Sequence, residues 1–308
     1  MLITTDNSVI RKARKLGEQV GRTPLLPLRR LVTGTGVELW AKQEWMQLSG
    51  SVKIRAAYYI ILDALEKGEL HPEKVLLDAT SGNTGIAYAT IGAALGIRVC
   101  LCLPENASKE RKEILKGLGA EIIYTSKFEG TDGAQQHARA LAANSPGLYF
   151  YADQYRNANN WKAHYHTTAV ELMNELPGLT HFVAGLGTTG TFTGTGRRLK
   201  KDRPHVRLVS LQPDSALHGL EGWKHLESAA VPTIYDPSLA DEELDVTTEE
   251  AYEVIRAAKQ YEGLLLSPSS AANIAGALKL IRTLDRGVVA TILPDNADKY
   301  SEIINKLI

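Results

Sequence analysis

The sequence predicts an α/β fold, in two α/β lobes with mainly parallel sheets around a central cleft. Short apolar runs alternate with helix-period segments from about residue 37 to the C-terminus, the grammar of parallel β-α-β units. Two strand-turn-helix units with Gly-rich turns lie more than 100 residues apart, which suggests one lobe for each. A chain of 308 residues ordinarily holds one or two domains with a sizeable core.

The elements follow in order. Val37-Glu-Leu-Trp-Ala-Lys42 is the first clear strand. A helix is expected from Ser51 to Gly68, because Ala56, Ile60, Ile61 and Leu65 recur with its period and Gly68 suits its end. Val75 to Thr80 is a strand, followed by a Gly-containing turn and a helix from Asn83 to Leu95. Val99 to Leu103 is the next strand, Ser108 caps a helix running to Leu118, and Glu121 to Thr125 is a further strand. The second half repeats the pattern. His181 to Gly185 is a strand, and a Gly/Thr-rich turn leads into a helix containing Arg197, Arg198 and Leu199. Val206 to Leu211 and Gly287 to Leu293 are strands, and helices cover Thr248 to Tyr261 and Ser270 to Leu284.

Charge narrows the partners. Lys plus Arg number 35 and Asp plus Glu number 35, so no global field attracts a polyanion and a nucleic-acid footprint is absent. Any anionic ligand must be held by local geometry. The N-terminal residues lack the basic and apolar regions of a signal peptide, and no apolar run approaches the ~20 residues that span a bilayer. Cys100 and Cys102 fall on one face of a buried strand, where a disulfide at that spacing would be strained. Reduced structural thiols and a cytoplasmic location are expected, and no Cys or His spacing fits a metal site.

Four motifs could carry chemistry. Ser49-Gly-Ser-Val-Lys-Ile-Arg55 puts Lys53 at a helix start, where the positive end of the dipole favours the uncharged, nucleophilic amine. Alone, it reads more readily as a surface lysine in the first helical turn. Thr80-Ser-Gly-Asn-Thr-Gly85 converges small side chains and backbone N–H groups at a strand-to-helix turn, as a carboxylate or phosphate requires. A plain tight turn with an N-cap would look the same. Gly185-Leu-Gly-Thr-Thr-Gly-Thr191 offers close backbone approach and three hydroxyl donors, which suits a phosphate monoester. No Lys-Ser/Thr pair follows Gly190, and Val206 to Leu211 offers no acidic residue for a ribose, so a nucleotide site is disfavoured. Ser267-Pro-Ser-Ser-Ala-Ala-Asn273 is a helix N-cap or a hydroxyl poised to face a pyridine nitrogen.

In this order the four motifs resemble the cysteine synthase and cystathionine β-synthase family of fold-type II pyridoxal-phosphate enzymes. The resemblance runs from Gly21-Arg-Thr-Pro-Leu25 to Pro294-Asp-Asn296 and includes Asp153-Gln-Tyr-Arg-Asn-Ala158 and Ala163-His-Tyr165. Thr180 to Thr191 looks most like the B-type cysteine synthases. It implies that Lys53 holds pyridoxal 5'-phosphate covalently and then acts as the proton-transferring base. Asn83 would bond the cofactor's ring hydroxyl, and Gly187, Thr188, Thr189, Gly190 and Thr191 its phosphate. Ser269, rather than Ser270, would face the ring nitrogen, where a hydroxyl leaves the ring a milder electron sink than a carboxylate would. Thr80, Ser81, Gly82 and Thr84, with Gln154, would grip the substrate carboxylate. Lys224, with His218 or His225 assisting, lies where phosphoserine-using relatives place a cation.

The resemblance also implies a division of the chain. Residues 1–44 and 156–308 would form a larger domain binding the cofactor phosphate, and 45–155 a smaller mobile domain carrying the carboxylate loop and closing over the substrate. The implied reaction is β-replacement on an activated L-serine, O-acetylserine or O-phosphoserine, by a sulfur nucleophile to give L-cysteine. Cystathionine β-synthase or serine/threonine dehydratase activity are the alternatives on the same fold, and a silent scaffold is disfavoured by Lys53, Asn83 and Ser269 together. A homodimer with no nucleic-acid or membrane partner is implied, and no regulatory module is expected beyond Ile308. The chain departs from the family at Ile54, where Asp is commoner, at Thr189 and Ala271, where glycine is common, and at Ser267-Pro268 in place of Gly-Ile.

Overall fold

The computed structural model describes residues 7–80 and 82–307. In chain order the elements are α1 (Asn7–Gly17), β1 (Leu25–Pro27), β2 (Gly36–Gln43), α2 (Lys53–Glu66), β3 (Val75–Ala79), α3 (Asn83–Leu95) and β4 (Arg98–Pro104). Next come α4 (Lys109–Gly117), β5 (Glu121–Thr125), α5 (Gly130–Asn144), β6 (Tyr149–Tyr151), α6 (Ala158–His166), α7 (Thr168–Glu175) and β7 (His181–Gly185). The chain closes with α8 (Gly190–Asp202), β8 (Arg207–Pro213), β9 (Glu242–Val246), α9 (Thr248–Ala257), α10 (Pro268–Ile281), β10 (Arg286–Leu293) and α11 (Ser301–Leu307). Among the described residues, no helix is long and apolar enough to cross a membrane.

Two compact units result, residues 7–20 with 47–160, and residues 21–46 with 161–307. The first unit holds a parallel sheet in the order β5-β4-β3-β6. Its central strands, β3 and β4, are buried on both faces. Val99, Leu101 and Leu103 of β4 pack with Ile54, Ile60 and Ile61 of α2, while Cys100 and Cys102 face Ala134 and Ala138 of α5. Both thiols are free and buried, and burial pushes each up to about 12. Helix α1 contributes Ala13 to the α2 side of this core. That packing puts residues 7–20 in the unit of 47–160, whereas the expected division assigned 1–44 to the other; the second boundary falls at 160/161 and not 155/156.

The second unit holds a six-stranded sheet in the order β1-β2-β10-β7-β8-β9, parallel except at the edge strand β1. Leu39, Val183, Val209, Leu211 and Val289 of this sheet pack against Ile255, Ala271, Ala272 and Ile274. Helix α9 gives way to a π-helical turn at Ala258–Glu262, which stops at the left-handed Gly263. Helix α10 begins two residues earlier than its periodicity implies, because Pro268 suits the first helical position and Ser267 caps it.

Connectivity marks one place in each sheet. From β3 the chain moves to β4 and β5 on one side and returns as β6 on the other. From β7 it moves to β8 and β9, and returns as β10 on the other side. Such reversals open a crevice at the carboxyl ends of the strands, where α/β sheets bind ligands. Both Gly-rich turns, after β3 and after β7, leave the sheet there.

Candidate active site

Lys53 opens α2. Its backbone N–H donates to Ser51 Oγ at 3.4 Å, and Ser49 and Ser51 are buried. Lys53 itself is half-buried, while Ile54 and Arg55 beside it are fully buried. Ile54 belongs to the apolar core, so its departure from the family's usual Asp reflects packing: a carboxylate there would lie among hydrocarbon.

The turn after β3 is organised by Thr80, whose Oγ1 accepts from Gly82 N at 3.0 Å and Gly85 N at 3.3 Å. Gly82 is needed for space, since a Cβ there would meet Arg111 Cδ at 2.4 Å. Asn83 is the first residue of α3. Ser81 lies outside the described residues. Gln154, in the loop after β6, is buried against this turn: Thr84 Oγ1 donates to its Oε1 at 2.7 Å, and its Nε2 donates to Ala79 O at 2.8 Å. Thr84's hydroxyl proton is thereby committed to Gln154. Asn160 Nδ2 donates to Gln154 O at 2.7 Å.

Asp78, to which no sequence motif pointed, lies beneath the same turn. It is fully buried in β3, and its carboxylate accepts from Ala79 N at 2.8 Å and Gln154 N at 3.3 Å. Burial, reinforced by Asp153 and opposed by these hydrogen bonds and the Tyr88 hydroxyl, pushes its carboxyl up to about 7. Asp153 is raised as well, by burial, against the attraction of Arg139 and Arg156.

In the second unit, the turn after β7 brings Gly187, Thr188, Thr189, Gly190 and Thr191 to the start of α8. A Cβ on Gly187 would meet Gly222 O at 2.0 Å, so only glycine fits. Thr189 caps α8 with φ 69°, a left-handed conformation that is an outlier for a β-branched residue. Its side chain is buried, and its Oγ1 has no hydrogen-bond partner among the described residues. Thr191 Oγ1 lies 3.3 Å from His164 Nε2, and His164 Nδ1 lies 2.9 Å from Thr168 Oγ1. Asn273 Oδ1 accepts from Gly185 N at 2.7 Å and fixes the end of β7.

Lys224 is tied to this turn through its backbone, its N–H donating to Leu186 O at 2.8 Å. Burial, and then the neighbouring His225, hold the His218 imidazole below its usual range. Ser269 is buried in the first turn of α10. Ser270, its neighbour, donates its hydroxyl proton to Asp295 O at 2.6 Å.

The turn after β7 fits a phosphate-bearing cofactor. A strained cap with a buried hydroxyl lacking a protein partner costs stability, and such outliers persist where a ligand returns the cost. Helix α8 carries no acidic residue in its first turn to compete with an anion there. A family profile, pyridoxal-phosphate dependent enzyme, matches residues 16–295. The chain belongs to that family and has its α/β, mainly parallel, fold-type II architecture. It is similar to a cysteine synthase of Aquifex aeolicus, 44% identical over 299 residues, which cover 94% of this chain and 91% of that protein. It is also similar to cysteine synthase B of Salmonella typhimurium, at 40% identity over 92% of this chain and 93% of that one. The solved cysteine synthase of Entamoeba histolytica superimposes with a TM-score of 0.89 at 30% identity, covering 94% of this chain and 90% of that one. The protein is thus a pyridoxal-phosphate-dependent enzyme.

Proposed function

We propose that this enzyme replaces the β-substituent of an activated L-serine, O-acetylserine or O-phosphoserine, with a sulfur nucleophile to form L-cysteine. Similarity to cysteine synthases along nearly the whole chain supports the reaction. The observation that carries the site assignment is Thr189, strained and buried with its Oγ1 unpartnered among the described residues at the start of α8.

Pyridoxal phosphate, when bound, supplies the conjugated ring that withdraws electrons from the substrate's Cα. Lys53 Nζ would hold it covalently, and its amine would be the base for the proton at the substrate's Cα. Asn83 would bond the ring hydroxyl, and residues 187–191 would hold the phosphate. Ser269 is the hydroxyl for the ring nitrogen, because the Ser270 proton is spent on Asp295 O. The turn of residues 80–84 holds the substrate carboxylate with Gln154. There Thr80 has its hydroxyl proton to give, since its oxygen accepts from Gly82 and Gly85. Thr84, whose proton goes to Gln154, contributes its backbone N–H instead. Lys224 is assigned to the donor's leaving group.

We further propose a homodimer working in the cytoplasm. The family resemblance supports the first, and the two reduced, buried thiols fit the second.

The test supplies holoenzyme with O-acetylserine, O-phosphoserine or L-serine, each with and without sulfide, and measures cysteine and pyruvate. Cysteine from an activated serine is expected, with ping-pong kinetics. Lys53→Ala should remove both the turnover and the absorbance of covalently held cofactor. Pyruvate as the main product of L-serine without sulfide would establish the dehydratase alternative instead.

A further inference from the structure

Ser267 has no part in the site described above, yet its hydroxyl is fully buried and lies 3.4 Å from that of Ser269. It is the N-cap of α10, with its Oγ accepting from Ser270 N at 3.2 Å. Pro268 follows it, and a residue before proline is confined to extended backbone, here φ -69° and ψ 160°. Its position is therefore set by a capping bond on one side and a rigid ring on the other.

A serine hydroxyl has one proton to donate and two lone pairs. In Ser267 one lone pair is taken by Ser270 N–H. The proton has two acceptors within reach, Asp295 O at 3.3 Å and Ser269 Oγ at 3.4 Å. Asp295 O already receives the Ser270 hydroxyl proton in a much shorter bond of 2.6 Å. The start of α10 carries the positive end of a helix dipole, with no acidic side chain in its first turn. That field turns hydroxyl oxygens toward the helix and hydroxyl protons away from it. A donor that is itself accepting a hydrogen bond is polarised and donates more strongly.

We propose that Ser267 is a positioning residue whose hydroxyl donates to Ser269 Oγ and so makes Ser269 a hydrogen-bond donor to the cofactor's ring nitrogen. The inference rests on the assignment of Ser269 made above. The chain of donors runs from Ser270 N–H to Ser267, from Ser267 to Ser269, and from Ser269 outward. Among the described residues, the hydroxyl that meets Ser269 Oγ is that of Ser267. Without it, the Ser269 hydroxyl could turn and accept, which would favour a protonated ring nitrogen and a stronger electron sink.

The experiment uses holoenzyme carrying pyridoxal phosphate labelled with 15N at the ring nitrogen and reads that nitrogen's chemical shift from pH 6 to 9. Wild type is compared with Ser267→Ala, Ser267→Gly, Ser267→Thr and Ser269→Ala. Loss of a cap to alanine weakens α10, whereas glycine is well tolerated at an N-cap, so the glycine variant keeps the test readable if the alanine variant folds poorly. The Ala and Gly variants should move the signal toward that of a protonated ring nitrogen, by at least half the size of the displacement that Ser269→Ala produces. Ser267→Thr, which keeps both cap and hydroxyl, should stay at the wild-type position. Cofactor release should quicken in the Ala and Gly variants by on the order of threefold to tenfold, the worth of one ordinary hydrogen bond. If Ser269→Ala moves the signal but the Ala and Gly variants do not, or if Ser267→Thr moves it as far as they do, the relay is overturned. If Ser269→Ala itself leaves the signal in place, Ser269 does not face the ring nitrogen, and its assignment falls together with the relay.

Discussion

Asp78→Asn should remove a large part of the pH dependence of stability below neutrality. The buried carboxyl titrates near 7 in the folded protein, against an ordinary value of 3.8. Between those values the folded state keeps a proton that the unfolded chain has released. Stability therefore falls as pH rises: the contribution is complete below about pH 4 and is lost as pH climbs through 7. At 1.36 kcal/mol for each tenfold difference in proton affinity, the interval corresponds to about 4 kcal/mol. Solvent screening calls for no discount, since the side chain is fully buried. The slope is steepest between pH 5 and 6.5, at roughly 1.4 kcal/mol per pH unit. The groups facing Asp78 are Tyr88, Asp153, Tyr151 and Tyr155, with Cys102 adjacent. Of these, Asp153 is the other acid whose carboxyl is raised.

The assay is the urea midpoint of wild type and Asp78→Asn at half-unit steps from pH 5 to 8, with the m-value checked for constancy. Asparagine does not titrate, but both carboxylate oxygens accept backbone N–H groups, so its NH2 would face a donor at a cost of about 1–3 kcal/mol. The variant should be the less stable protein at pH 5, and the gap should close or invert by pH 8. Parallel curves across that range would refute the buried-carboxylate reasoning. Because Asp78 also holds the Gln154 backbone, the variant should raise KM for the serine donor more than it lowers kcat.

Thr189→Gly relieves a left-handed β-branched residue and removes a buried hydroxyl without a protein partner, so cofactor-free protein should gain on the order of 1 kcal/mol in denaturant titrations. The same variant should release cofactor faster, which spectrophotometry against a scavenging apoenzyme measures; slower release would contradict the phosphate assignment. Lys224→Ala should lower kcat/KM for O-phosphoserine more than for O-acetylserine, and equal losses would remove Lys224 as the reader of the leaving group. Cys100 and Cys102 are buried thiols pushed up to about 12, so a disulfide reagent at pH 8 should label neither until urea unfolds the 47–160 unit.

The local parts of the site were legible in the sequence because they are local. Helix α3 and strands β5 and β7 begin and end at the expected residues, each bounded by a turn whose glycine or small residues set the boundary. Elements without a strong apolar signature escaped. Strand β9, Glu-Glu-Leu-Asp-Val, is an edge strand rich in acids, and β6 is only three residues long. Helix α5 buries small residues, Gly133, Ala134 and Ala138, and presents no stripe of large apolar side chains. Contacts over long sequence separations were invisible for a different reason. Asp78 meets Gln154 across 76 residues and Asn273 meets Gly185 across 88, and a single sequence carries no periodicity that links such positions. Ile54 illustrates the converse: a departure from the family inside the lysine motif belongs, in the folded chain, to the core.

The motifs share a physical device that explains their residue types. Lys53, Asn83, Gly190 and Pro268 each open a helix, and none of these four helices has an acidic residue in its first turn. Helices α4, α5, α7, α9 and α11 do, with Glu110, Asp132, Glu171, Glu249 and Glu302 offsetting their own dipoles. Helices α1 and α6 also lack one, so an open N-terminus alone defines no site. What sets the four apart is the combination with small hydroxyl or glycine residues in the preceding turn, which lets a ligand reach the exposed N–H groups. Acid in any of these first turns would offset the dipole and repel a phosphate or carboxylate. The sequence satisfies that requirement with threonine, serine and glycine, which cap or admit close approach without adding negative charge.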